Sequence, residues 1–180
     1  YFQTANKTVI NPTNQEINDL YNRGFLFTRV AKGNFYQTRS LRIDLSTFEL
    51  SSENRRILNK NAELVISSSN LPLENYSWKI HSYGKDFYFK KFGDGTMSAS
   101  KIKELFQDTN QSNMNATLIY QSSNILSESQ DHWKLEIGES KNVVGMCLIY
   151  ENDEILHYAY PFYNLEIPKE QSLGLAMMTK

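Results

Sequence analysis

The feature that most constrains this chain is the apolar run Val143-Val144-Gly145-Met146-Cys147-Leu148-Ile149. It ends at Tyr150 and passes through the tight polar turn Glu151-Asn152-Asp153 into a second extended run, 154–160. Two such runs joined by so short a link predict a β-hairpin. Cys147 lies in the middle of the first run and is the single cysteine of 180 residues. It reads as a small buried hydrophobe rather than a reactive thiol. One cysteine also excludes an internal disulfide framework and a thiolate-rich metal cluster. After the hairpin come Pro161-Phe162-Tyr163-Asn164, read as a loop, and Gln171-Ser172-Leu173-Gly174-Leu175-Ala176-Met177-Met178, which starts a helix.

Upstream, Thr13-Asn14-Gln15-Glu16 is a capping box. It predicts a short helix that buries Ile17, Leu20 and Tyr21 and ends on a left-handed Gly24. Residues 25–30 read as a strand, Lys32-Gly33-Asn34 as a turn, and 35–45 as a second extended run. In that run Leu41, Ile43 and Leu45 alternate with Arg42 and Asp44, which predicts one buried and one wet face. Ser51-Ser52 starts another helix that ends near Asn61, and 62–67 is a strand. The polar stretch Ser67-Ser68-Ser69-Asn70-Leu71-Pro72 reads as a connector between two lobes, 4–67 and 68–180. Residues 86–92 are rich in aromatics and fit either helix or strand. Ser98 caps a helix carrying Ile102, Leu105 and Phe106, and further strands are expected at 116–121 and 132–137. The class is α+β.

Aromatic residues make up 13% of the chain, which favours strands and cleft walls over a plain helical bundle. No run approaches eighteen apolar residues, and no secretory signal is visible, so a cytoplasmic protein without a membrane segment is expected. Tyr1-Phe2-Gln3 looks like the remnant of a purification tag and is set aside. Charge is unevenly spread. Residues 1–60 hold nine Lys/Arg against five Asp/Glu, a net of +4, and the remainder holds ten against fifteen, a net of −5. A basic first third suggests an anionic partner docking at one end.

Common catalytic signatures are missing: there is no P-loop, no Gly-x-Ser-x-Gly elbow and no His-Glu-x-x-His pair. His81, His132 and His157 are far apart and lack adjacent ligands, so they do not read as a metal site. What remains is the C-terminal order of hairpin, bend and helix. It can offer backbone N–H groups and a helix start to an anionic or carbonyl-bearing donor.

The run His157-Tyr158-Ala159-Tyr160-Pro161-Phe162-Tyr163-Asn164, followed by Ser172-Leu173-Gly174, resembles the aminoacyl-tRNA–protein transferase family. That family comprises arginyl- and leucyl-tRNA–protein transferases. Upstream, Gly24-Phe25, Tyr36-Gln37-Thr38-Arg39-Ser40-Leu41-Arg42-Ile43 and Phe48, Ser51, Asn54-Arg55-Arg56 and Leu58 resemble its N-terminal lobe in the same order. The resemblance touches both ends of the chain and supports the middle only loosely.

The resemblance implies an acetyltransferase-like (GNAT) mixed sheet behind an N-terminal basic α/β lobe. It also implies that the acetyltransferase-like part, 68–180, is incomplete, with a further strand, helix and closing strands beyond Lys180. The implied reaction moves an aminoacyl group from aminoacyl-tRNA to the N-terminal amine of an acceptor protein, an N-degron activity. Tyr160, Tyr163, Ser172, Leu173 and Gly174 are then the donor-binding residues. Arg39, Arg42, Arg55 and Arg56 are the tRNA contacts, unless Arg55 and Arg56 form a solvated helix face paired to Glu53 or Asp44. Asp44 is the candidate for the acceptor's ammonium group, and the resemblance assigns no catalytic base. Related arginyl enzymes carry a cysteine cluster where this chain reads Tyr36-Gln37-Thr38-Arg39-Ser40, so neither a metal centre nor a cofactor is expected. Two other readings stay open: an acyl-CoA-dependent N-acyltransferase, echoed by Gln171-Ser172-Leu173-Gly174-Leu175-Ala176, and an inactive relative that binds RNA or peptide.

Overall fold

The computed structural model describes residues 5–122 and 135–180. The chain opens with β1 (Asn6–Thr8) and α1 (Asn14–Asn22). Thr13 and Glu16 form the expected reciprocal cap: the Glu16 amide donates to the Thr13 hydroxyl at 3.3 Å, and the Thr13 amide donates to the Glu16 carboxylate at 2.8 Å. Gly24 ends the helix at φ +80. β2 (Phe25–Phe27) and β3 (Asn34–Gln37) follow, and the three strands form an antiparallel sheet in the order β1-β3-β2. At Gly33, φ is +75 and any Cβ would fall 2.2 Å from the Val9 carbonyl oxygen, so only glycine fits this turn.

The second extended run is much shorter than its alternation predicts. Its strand stops at Gln37, because β1 and β2, the strands that flank β3, are only three residues long. Beyond it no sheet lies under the alternating side chains, and Leu41 and Leu45 are 83% and 74% exposed. The expected buried face is therefore absent.

α2 (Ser52–Lys60) starts from a second reciprocal cap, Ser51 with Asn54, and ends at Asn61 as anticipated. The larger sheet then runs β4 (Val65–Asn70), β5 (Ala116–Gln121), β6 (Val143–Glu151), β7 (Leu156–Tyr163), in that spatial order. β4 corrects the reading of 67–72 as a connector. Ser67, Ser68, Ser69 and Asn70 pair with Ile119, Leu118, Thr117 and Ala116. An edge strand needs few apolar side chains, so its serines disguise it.

Between β4 and β5 lie α3 (Trp78–Phe92), capped by Ser77, and α4 (Ala99–Gln107), capped by Ser98 as expected. α3 resolves the ambiguity at 86–92 in favour of helix. Two helices between two strands return the chain to the end of the sheet it left, so β5 runs antiparallel to β4. The expected mixed sheet is in fact antiparallel along every described ladder. The hairpin β6–β7 is present. The strand expected at 132–137 lies mostly outside the described residues, and Ile137 makes only an isolated bridge to Ser140.

β6 is the centre of the core. Val143, Met146, Leu148 and Tyr150 face one cluster with α3, α4 and the small sheet, while Val144, Cys147 and Ile149 face another with Ile57 of α2 and α5 (Leu173–Thr179). Burial on both faces explains the uninterrupted apolar run. Burial also pushes the Cys147 thiol well above its ordinary pKa, as befits an inert core residue. The two sheets share one core: Phe27 stacks on Phe35 at 4.3 Å and meets Tyr150 edge-on at 4.8 Å. Among the described residues no helix is long and apolar enough to cross a membrane.

Candidate functional site

β7 is an edge strand whose ladder to β6 is interrupted. Leu148 pairs with Tyr160 and Ile149 with Tyr158, so Ala159 has no partner and forms a bulge. Past it the Asn164 amide donates to the Val144 carbonyl at 2.9 Å. Alternation along the ladder then turns the backbone groups of Tyr160 and Phe162 toward β6 and those of Pro161 and Tyr163 toward the free edge. Proline has no N–H to leave unpaired there, which is why an edge tolerates it. The Pro161 carbonyl accepts from the Tyr88 hydroxyl of α3 at 3.0 Å.

The chain reaches α5 through a short 3-10 turn, Lys169–Gln171, and Ser172 in the left-handed region at φ 53. The end of α2 clamps that turn: the Asn61 carboxamide donates to the Gln171 carbonyl at 2.8 Å, and Lys60 Nζ to the Glu170 carbonyl at 3.1 Å. Leu173, Ala176 and Met177 are buried against β6. The Tyr120 hydroxyl donates to the Met177 carbonyl at 2.7 Å and fixes the helix from below.

β7 and α5 converge at Tyr163. Its ring lies over Gly174 so closely that a Cβ there would stand 2.7 Å from Tyr163 Oη. Phe87 packs tilted against that ring, 4.8 Å between centroids, and Lys91 Nζ sits 5.7 Å from its centroid. Of the donor residues named from sequence, Tyr163 and Gly174 meet at this junction, Ser172 is the left-handed residue before α5, and Leu173 is turned into the core. Tyr160 and Tyr163 both pack against the larger core cluster, and Tyr163 also against the one that contains α5. Burial raises the Tyr160 pKa, opposed by the charge and backbone amide of the nearby Arg29.

The arginines are held locally. Arg42 donates to the Asn22 carboxamide oxygen, and Arg55 to the Leu50 carbonyl at 2.6 Å. Arg56 forms the two-pronged pair with Glu53, at 2.7 and 2.5 Å, that was the alternative reading of this helix face. Arg39 is exposed on the strand-free segment after β3. The Asp44 carboxylate accepts from the Ser46 amide at 2.9 Å and its hydroxyl at 2.6 Å, and these bonds lower its pKa. Arg55 and Asn61 lie six residues apart, about 9 Å along a helix axis, so the basic turn of α2 is a short reach from α5.

Sequence reasoning missed Lys91, Phe87 and Tyr88, because the helix that carries them was ambiguous. It also missed a pair joining α1 to the larger sheet: the Tyr21 hydroxyl and His157 Nδ1 are 2.9 Å apart. The Phe27 amide also donates to Tyr21 Oη, at 3.4 Å. Burial lowers the His157 pKa and raises that of Tyr21. An open polar pocket lined by Glu63, Val65, Gln121, Ser122, Lys141 and Asn142 lies near β4, at the opposite edge of the sheet. No protein-family model, no curated protein and no solved structure matches the chain.

Proposed function

We propose that the chain is an acetyltransferase-like aminoacyltransferase that moves an aminoacyl group from aminoacyl-tRNA to the N-terminal amine of an acceptor protein. One observation carries this reading. A bulged edge strand, β7, presents backbone groups at its free side and ends on Tyr163, whose ring lies against Gly174 of α5. The α+β class that the resemblance implies is the class of the described residues, although the expected mixed sheet is antiparallel along every described ladder.

In this reaction the acceptor's neutral α-amine attacks the ester carbonyl. The new C–N bond forms as the C–O bond to the terminal ribose breaks, and the proton lost by nitrogen replaces the acyl group on the ribose oxygen. The ester is already activated, so alignment supplies much of the acceleration. The Tyr163 N–H, turned to the free edge of β7 past the bulge, suits the developing oxyanion. Tyr163, packed against Phe87, offers a flat wall for the terminal base or ribose.

The test supplies tRNA charged with radiolabelled amino acids and a peptide with a free N-terminus, beside the same peptide N-acetylated. Label should enter the free peptide alone. Failure to label from any charged tRNA overturns the proposal, and acetylation of the peptide from acetyl-CoA would put an acyl-CoA transferase in its place.

A further inference from the structure

The outer face of α3 carries three large aromatic side chains that nothing in the described structure covers. Trp78, Phe89 and Phe92 are 66%, 56% and 64% exposed. With Ser82 and Lys85 they follow i, i+4, i+7, i+11 and i+14, so they form one stripe along the helix. The buried residues of α3, Ile80, Gly84, Phe87 and Tyr88, lie away from that stripe. A solvent-facing aromatic stripe of this length is not needed for the core and marks an interaction surface.

Its charge is one-sided. α3 holds Lys79, Lys85, Lys90 and Lys91 against a single acid, Asp86 on the flank of the stripe, with Asp94 in the turn beyond. Lys85, Lys90 and Lys91 have no carboxylate partner among the described residues. Exposed aromatics interleaved with uncompensated cations are what a single-stranded nucleic acid requires: flat faces for bases and positive charge for phosphates. An apolar protein partner would instead favour a stripe without lysine at its centre. The direction of the stripe also fits. α3 spans about 22 Å, and its C-terminal end reaches the candidate site, where Lys91 lies near the Tyr163 ring and Phe92 stacks on Tyr88 at 5.9 Å.

We infer that the Trp78–Lys85–Phe89–Phe92 stripe of α3 is a docking surface for single-stranded RNA, which it guides toward the free edge of β7. The identity of that RNA as the 3′ end of a charged tRNA rests on the function proposed above; the binding surface itself does not.

The experiment measures fluorescence anisotropy of a labelled single-stranded RNA octamer ending in CCA, without any acyl group, against the whole chain. Two exposed-site variants are compared, with circular dichroism to verify their fold: Trp78→Ser/Phe89→Ser and Lys85→Gln/Lys90→Gln. The aromatic variant should bind at least about tenfold more weakly. The lysine variant should bind more weakly and flatten the log–log salt dependence by about 0.7 per lysine removed. Binding equal to wild type in both variants overturns the inference. So does a wild-type chain that self-associates in sedimentation while Trp78→Ser/Phe89→Ser stays monomeric, because a second copy would then be the occupant. Loss of RNA binding in both variants with no acyl transfer by the wild type would leave this surface standing and remove only the proposed reaction. Transfer with variant-insensitive RNA binding would do the reverse.

Discussion

Gly174→Ala sets two effects against each other at the junction of β7 and α5. Gly174 is the second residue of α5, and its φ is not in the left-handed region. Helix propensity alone therefore favours alanine, by up to about 1 kcal/mol. Against it, the new methyl would stand 2.7 Å from Tyr163 Oη and 2.9 Å from Cε1 and Cζ. Ordinary carbon contacts lie at about 3.5–4.0 Å, so the ring must tilt, and Phe87 packs against it at 4.8 Å. Overpacking of this kind costs about 1–3 kcal/mol. The clash should win, leaving a net loss of about 1 kcal/mol and a Tm lower by about 2–4 °C. Removing the obstacle reverses the sign: in a Tyr163→Ala background, Gly174→Ala should stabilise by up to about 1 kcal/mol. Urea and thermal unfolding of the four proteins would give the coupling directly. A higher Tm for Gly174→Ala in the wild-type background, or the same shift in both backgrounds, would refute the packing described here.

Two further outcomes follow from the same coordinates. Asn61→Leu strips the Gln171 carbonyl of its carboxamide partner and should cost about 1–3 kcal/mol in urea unfolding, with greater protease sensitivity around 169–172. His157 has its pKa lowered by burial, so the unfolded chain takes up a proton before the folded one does. Stability is thus complete above the ordinary histidine value of 6.5 and falls as pH drops below it toward the lowered folded value. His157→Gln should flatten that dependence in unfolding curves at successive pH values.

The elements legible in the sequence are those whose signal is local. Both N-terminal caps, the Gly24 stop, the Ser98 cap and the β6–β7 hairpin rest on contacts within a few residues, and all appear. Elements defined by distant neighbours were misread. Ser67 to Asn70 look like linker because their strand character comes from pairing with β5, some fifty residues away. Leu41, Ile43 and Leu45 alternate like a strand, yet no partner strand reaches them. α3 hid because its aromatic residues favour strands one by one, and only Ser77 at its start marks a helix. At the candidate site, Tyr163 and Gly174, named from their order in the chain, lie in contact. Phe87 and Lys91 had no local signal to report that α3 crosses β7.

The same distinction decides where an anionic partner would dock. Counted along the chain, positive charge belongs to residues 1–60, with a net of +4. Counted by surface, Arg56 is compensated by Glu53, whereas Arg42 and Arg55 donate to uncharged groups, the Asn22 carboxamide and the Leu50 carbonyl. α3 sits in the acidic remainder of the sequence, yet Lys85, Lys90 and Lys91 have no carboxylate partner among the described residues and lie on a helix with exposed aromatic rings. A phosphate gains most from a cation that has no competing acceptor and least from one already paired. The face of a helix, rather than the charge of a stretch of chain, therefore determines which cations are available, and on α3 such cations stand on the same helix as exposed aromatic faces.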